Sequence, residues 1–273
     1  STATIVAGFA GSAMGAATQQ NRTTVGAATT VDGAGFDQTA APANLAVAPN
    51  AVITANANNG INFNTPAGSF NGLFLDTANN LAATVSEDTT LGFITNAANN
   101  GNFFNFTLGA GKTLTITGQG ITAGQAAATK NAQNAVAQVN GGNAIANNDL
   151  SGVGTIDFGA APSTLVFNLT NPTTQNPLIL GDNAVIANGA NGTLNVTNGF
   201  IQVSDETFAT IKTINIGDGQ GFIFNTDATA GNALNLQVGG ATINFNGTDG
   251  TGRLVLLSNA AGGGATDFNV TGS

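Results

Sequence analysis

The sequence predicts an all-β chain wound into a right-handed parallel β-helix, a solenoid with coils of about 20 residues. Three observations point to it. Short apolar segments return in a fixed 20-residue phase. Asn-Gly and Asp-Gly pairs lie between them, and such pairs tolerate the positive φ of tight corners. Only 7% of the 273 residues are charged, with Asn, Thr, Gly and Ala standing where Lys, Glu and Arg usually do. Asn, Thr and Gly are poor helix formers, so this composition suits short strands and turns.

The first stretch, residues 1–17 (STATIVAGFAGSAMGAA), is small, apolar and uncharged. It resembles the late apolar region and cleavage site of a secretory signal peptide. Ala13-Met14-Gly15 and Gly15-Ala16-Ala17 are the cleavage candidates, although no basic region precedes them. Residues 18–50 precede the regular phase and are expected to form an N-terminal cap or irregular segment. Residues 51–273 are expected to form the β-helix. No stretch reaches the ~18 apolar residues needed to span a bilayer as a helix.

The phase begins at Val52-Ile53-Thr54 and continues through Leu73-Phe74-Leu75, Phe93-Ile94-Thr95 and Thr113-Leu114-Thr115. It returns at Thr193-Leu194-Asn195-Val196, Thr213-Ile214-Asn215-Ile216, Ala233-Leu234-Asn235-Leu236 and Arg253-Leu254-Val255-Leu256. The gap from 113 to 193 equals four such periods. Apolar residues alternate with Asn in the later segments, the pattern of half-buried strands. Stacking would make inward ladders of Leu194, Ile214, Leu234 and Leu254, and an outward ladder of Asn195, Asn215 and Asn235. A second strand per coil is expected at Ile61-Asn62-Phe63, Phe104-Asn105-Phe106, Ile201-Gln202-Val203, Phe222-Ile223-Phe224 and Ile243-Asn244-Phe245.

A left-handed helix uses six-residue units, and 20 is not a multiple of six, which leaves the right-handed form. About ten coils at ~4.8 Å each would give a rod of roughly 45–50 Å. An antiparallel sandwich is the rival reading, but hairpins do not hold a constant long period. The segment about 121–150 interrupts the strands. Gln125 to Val139 is rich in Ala and Gln, with Ala128, Ala132, Ala135, Val136 and Val139 near helical spacing. A short helix or long loop is expected there, read as a tolerated insertion in preference to a binding protrusion. Asp267 to Ser273 reads as a strand in mid-course with no cap after it, the pattern of a fragment.

Net charge is −9, and the five basic residues (Arg22, Lys112, Lys130, Lys212 and Arg253) are scattered. No basic stripe exists to neutralise phosphates, which excludes nucleic acid as a partner. The chain has no Cys or His. That removes thiol nucleophiles, zinc–thiolate sites and the commonest general base. Glycosidase chemistry needs two carboxylates on one groove. The adjacent pairs Glu87-Asp88 and Asp205-Glu206 sit in turn-like contexts, and neighbours on a strand face opposite ways. All 17 aromatic residues are Phe, whereas sugar clefts favour the polar handles of Trp and Tyr. No catalytic, cofactor-binding or metal-binding residue is assigned, and ligand-binding residues stay unassigned.

Gly217-Asp218-Gly219-Gln220-Gly221 and Gly247-Thr248-Asp249-Gly250-Thr251-Gly252 look like calcium loops, but match neither the calcium-roll nonapeptide nor an EF-hand. They read as corners. Thr113, Thr115 and Thr117 make one outward threonine row, discounted because neighbouring coils carry Asn or mixed residues. Sequons at Asn168, Asn191, Asn246 and Asn269 are expected by chance in so Asn- and Thr-rich a chain.

Five segments, NTPAGSFNGLFLDTANNL, GKTLTITGQGIT, LILGDNAVIANGANGTLNVTNGFI, INIGDGQGFIFNTDA and NFNGTDGTGRLVLLS, resemble the N-terminal passenger region of the rickettsial surface cell antigen family. Its members are type V autotransporters, and the resemblance covers essentially the whole chain. It implies an exported passenger carried through the periplasm to the bacterial cell surface by a C-terminal β-barrel translocator. It also implies adhesion to and invasion of host cells, with host-cell surface proteins and other copies of the surface protein as partners. A structural surface-layer coat is the alternative, and a polysaccharide-degrading β-helix enzyme a lesser one. The family brings no catalytic residue and no cofactor to carry over.

Overall fold

The computed structural model describes residues 60–64, 66–75, 79–96, 101–123, 143–170, 177–226 and 242–258. It also describes the strands Thr4–Val6, Thr23–Val25, Ala27–Thr29, Ala43–Ala46 and Ala51–Ala55. Their strands stack in parallel into three sheets, and each inner rung pairs with the coil before and the coil after. This is a parallel β-solenoid. A two-stranded antiparallel hairpin joins Thr23–Val25 to Ala27–Thr29.

The first sheet runs Thr4–Val6, Ala43–Ala46, Ile61–Phe63, Leu81–Val85, Phe104–Leu108, Val153–Asp157 and Val185–Ala187. The second runs Ala51–Ala55, Gly68–Leu75, Thr89–Asn96, Thr113–Ile116, Ser163–Asn168, Gly192–Asn198, Thr213–Gly217 and Thr242–Asn246. The third has Leu178–Leu180, Phe200–Val203, Gly221–Thr226 and Arg253–Ser258. After Val185–Ala187 a 3-10 turn, Glu206–Thr210, takes the first sheet's place. Thr207 Oγ1 accepts the Ile186 N–H at 2.7 Å, so the sheet's last described strand meets a side-chain acceptor.

Inside lies one continuous apolar core. Leu73, Leu91, Leu114, Leu165, Leu194 and Ile214 are all buried in it, as are Phe63, Phe104, Phe106, Phe158, Phe167, Phe222 and Phe224. Each such side chain contributes roughly 1.5–3 kcal/mol when removed from water. Phe222 and Phe224 meet edge to face at 4.9 Å, a favoured aromatic geometry. Period-two alternation does what the sequence pattern asks: Leu194 and Val196 point in while Asn195 points out.

The constant 20-residue coil is corrected by the register. Ile53 pairs with Leu73, and Leu194 with Ile214, at 20 residues. But Ile214 pairs with Ile243, 29 residues on, and Phe222 with Leu254, 32 on. Thr115 pairs with Thr90, not with the Phe93-Ile94-Thr95 segment. Leu114, Leu165 and Leu194 do share one column, so phase survives the middle of the chain. Two unequal coils span that interval in place of four equal ones. Corner lengths vary outside the core, and only the rungs must stack, so a solenoid does not need one period.

Two segments exchange columns for the same reason. Ile243-Asn244-Phe245 joins the second sheet, and Arg253 to Leu256 joins the third. The expected Leu234-Asn235-Leu236 rung and the Gln125–Val139 helix or loop lie outside the described residues. Of the Asn-Gly pairs, Asn71-Gly72 lies inside the strand Gly68–Leu75 and not at a corner, whereas Asn191 closes a 3-10 turn, Gly189–Asn191, from which Gly192 opens Gly192–Asn198. A Cβ on Gly72 would sit 2.5 Å from the Phe93 ring, and one on Gly192 would sit 2.7 Å from the Phe158 ring. Each glycine makes room for a phenylalanine of another coil.

Candidate interaction surface

The outer face of the second sheet carries two rows of polar side chains in register. Thr113, Thr164, Thr193, Thr213 and Thr242 stack rung on rung. Beside them run Thr115, Val166, Asn195, Asn215 and Asn244. Asn215 Nδ2 donates to Asn195 Oδ1 at 2.7 Å, and Asn244 Nδ2 donates to Asn215 Oδ1 at 2.9 Å. The expected amide ladder exists, with Asn244 as its third member. Each amide leaves a donor and an acceptor for the next, so the row polarises along the rod axis.

The sequence singles out the row along one strand, Thr113, Thr115 and Thr117, and discounts it because neighbouring coils carry Asn or mixed residues. With true coil lengths, threonine recurs across five coils. No charged side chain belongs to either row. Apart from Val166, the face is therefore a regular array of hydroxyls and amides at the ~4.8 Å spacing of stacked strands.

The acidic pairs hold corners together. Lys112 Nζ lies 2.7 Å from Glu87 Oε2, joining successive coils. The Glu87 hydrogen bond raises the Lys112 pKa above its ordinary value. Asp88 Oδ1 accepts the Thr113 N–H at 2.8 Å, at the head of the threonine row. Asp205 caps the 3-10 turn, accepting from the Thr207 N–H at 2.8 Å and its hydroxyl at 2.5 Å. The Glu206 side chain lies outside the described set. Glu87 and Asp88 are each engaged by a different partner, the Lys112 ammonium and the Thr113 N–H, in place of the shared groove a glycosidase requires.

The supposed calcium loops meet at one corner and fill it with N–H donors. Asp218 Oδ2 accepts the N–H of Thr248 at 2.6 Å and of Asp249 at 3.2 Å. Asp249 Oδ1 accepts from the Thr251 N–H at 3.0 Å and its hydroxyl at 2.6 Å. Gly219 and Gly250 both take φ of +69°, the left-handed conformation that the Asp-Gly pairs anticipate. The interaction with the Asp249 side chain holds Asp218 at about 2, against an upward push from burial, and the Thr248, Asp249 and Thr251 amides add to the lowering. The corner works as a clamp between coils. Among the described residues no group of three His, Cys, Asp or Glu could hold a metal.

The interruption near 121–150 departs and returns at one place. Ile121 and Ile145 exchange both backbone hydrogen bonds in an antiparallel bridge, at 3.0 and 2.9 Å. Asn148 N donates to Gly118 O at 2.5 Å, and Gly120 N to Asn147 Oδ1 at 2.9 Å. Ile121 and Ile145 pack with Phe74 and Phe93 in a small apolar cluster separate from the main core. Sequence reasoning missed this stem. Its only signal was an isoleucine on each side of the Ala- and Gln-rich stretch.

Beyond the stem, Ile94 exchanges backbone bonds with Asp149 and Gly152 at 2.9 Å each. Asp149 Oδ1 then accepts from the Ser151 N–H and hydroxyl, at 3.1 and 2.7 Å, and turns the chain. The next rung on that side, Leu178–Leu180, is the outermost strand of the third sheet. A notch of about 390 Å³ opens between them, lined by Asn148, Asp149, Ser151, Ile179 and Asn183 among others. Ile179 is 58% exposed at its rim.

Comparison with known proteins finds close similarity over the whole chain. It is 82% identical to outer membrane protein B of Rickettsia japonica, 80% to that of Rickettsia rickettsii and 77% to that of Rickettsia conorii, each over 274 aligned residues. All of this chain is covered in each case, and it spans 16% of the length of each relative. No family model matches, and no solved structure matches.

Proposed function

Because the chain belongs to the family of rickettsial outer membrane proteins B, we propose that it is part of an exported cell-surface passenger acting in adhesion to and invasion of host cells. One observation carries the reading from the structure: a solenoid in which Glu87, Asp205 and Asp218 hold corners and in which the Thr and Asn rows of the second sheet carry no charge. Such a rod presents surface and side-chain rows. Host-cell surface proteins are its partners in this proposal, and a β-barrel translocator carries it out through the periplasm. In this proposal residues 1–17 belong to a leader, 18–50 form a cap or irregular segment, and 51–273 belong to the passenger, with Thr4–Val6 and Ala43–Ala46 stacking as rungs ahead of it.

The test is binding of the purified 273-residue chain to host cells. Saturable, dose-dependent attachment that unlabelled chain competes away is expected. A chain that never attaches, at any concentration, sinks the adhesin reading for this region. Support for a second reading, a surface coat, comes from the Thr and Asn rows. A flat, uncharged, periodic face suits weak side-by-side contact between copies, which many copies would multiply. Ordered arrays that Thr193→Lys abolishes would favour the coat. Arrays unaffected by that change would remove this face from consideration. A polysaccharide-degrading enzyme has no observation in its favour, and release of sugar fragments from a polysaccharide would overturn that judgement.

A further inference from the structure

Asn-Gly pairs are the sequences most prone to lose their side-chain amide, because glycine leaves the following N–H unshielded. Five such pairs have both residues described: Asn71-Gly72, Asn188-Gly189, Asn191-Gly192, Asn198-Gly199 and Asn246-Gly247. The fold treats them unequally. Gly72, Gly189, Gly192 and Gly199 are buried between coils, whereas Gly247 is exposed.

Three of the amides are also held by another coil. Asn188 Nδ2 donates to Asp157 Oδ1 at 2.7 Å, Asn191 Nδ2 to Gly159 O at 2.7 Å, and Asn198 Nδ2 to Leu169 O at 2.8 Å. The Gly199 N–H, which would be the attacking group, donates instead to Gln220 Oε1. Asn71 is skipped by the register within Gly68–Leu75, but Phe70 and Gly72 on either side of it each pair with both neighbouring strands. Asn246 is exposed and ends the outermost described strand of the second sheet.

Its neighbour is held to glycine by the clamp. A Cβ at position 247 would fall 1.7 Å from Asp218 Oδ1, so any other residue would have to push that carboxylate aside. The packing that holds the corner therefore imposes the residue that makes Asn246 labile. We propose that Asn246 is a site of spontaneous deamidation in the folded protein.

The reaction needs only water. The Gly247 nitrogen attacks Asn246 Cγ, its proton passes to solvent, and the amide nitrogen leaves as ammonia. Water then opens the succinimide ring to aspartate or isoaspartate. Nothing is oxidised or reduced. The product places a carboxylate in the outward register of Asn244, beside the Asp218–Asp249 clamp. The isoaspartate form adds a methylene to the main chain at the end of that rung.

The folded chain is incubated at neutral to mildly alkaline pH, and amide loss at each pair is followed by peptide mapping and mass spectrometry. A parallel sample is kept in urea. Asn246 is expected to convert at least about tenfold faster than Asn188, Asn191 or Asn198 in the folded chain, equivalent to ~1.4 kcal/mol of hold at the other sites. In urea the four rates are expected to converge. Asn246→Gln is expected to remove the signal while leaving the circular dichroism unchanged. Native conversion at Asn246 no faster than at the other three would overturn the proposal. So would a fast native rate that urea does not equalise, since the sequence alone would then set it.

Discussion

The second and third sheets lie side by side along one rod yet behave differently at the same coil. The second passes from Thr113–Ile116 to Ser163–Asn168 in register, although 51 positions separate Leu114 from its partner Leu165. On the third side the chain turns at Asp149–Ser151, and a notch separates that turn from Leu178–Leu180. Parallel pairing asks only that the next segment arrive extended, with an apolar residue at each inward position. Leu114, Ile116, Leu165 and Phe167 meet that condition. Asp149 and Ser151 bond to each other and curl the main chain, so they offer no straight edge to the following coil.

The comparison can be broken most severely from inside the second sheet. Phe167→Ala empties a fully buried site and is expected to cost about 3–5 kcal/mol in chemical denaturation. The same method measures a smaller loss for Asn215→Ala. That change removes two ladder bonds at half-buried positions, each worth about 0.5–1.5 kcal/mol. Asp149→Ala sharpens the contrast from the other side. Loss of its bonds to Ser151 is expected to cost about 1 kcal/mol and to raise hydrogen exchange at Ser151 and Gly152 without disturbing the second sheet.

The smallest expected effect comes from pH at the far corner. Asp218 titrates at about 2, below its ordinary 3.8, so the folded state favours its charged form. That contribution is fully present above the ordinary value and is lost as pH falls through about 2. Exchange of the Thr248 and Asp249 amides should rise over that window and be flat from pH 5 to 7. A midpoint near 4 would mean that the clamp does not form in solution.

Much of the second sheet was legible in the sequence. Leu194, Asn195 and Val196 repeat as Ile214, Asn215 and Ile216, and both the inward column and the amide ladder follow. The swap of Ile243-Asn244-Phe245 with Arg253 to Leu256 was not legible, because either triplet satisfies period two. Only the length of the corner before each decides its sheet. Asn71-Gly72 was misread for a related reason: Asn-Gly signals a turn locally, but the Phe93 ring that demands the glycine belongs to another coil. The acidic pairs at 87–88 and 205–206 were correctly placed at corners, since Ser and Thr flank both. Their partners were not legible, because Lys112 lies a whole coil away from Glu87.

The stem at Ile121 and Ile145 has a mechanical consequence. Tension applied along the rod would run through the ladders from one rung to the next. Gly118 and Asn148 are bonded directly, so the pull can cross between them without entering the excursion. Ile121 and Ile145 share the pull through a second pair of bonds, so two short cross-links, and no single strand, carry it past this point.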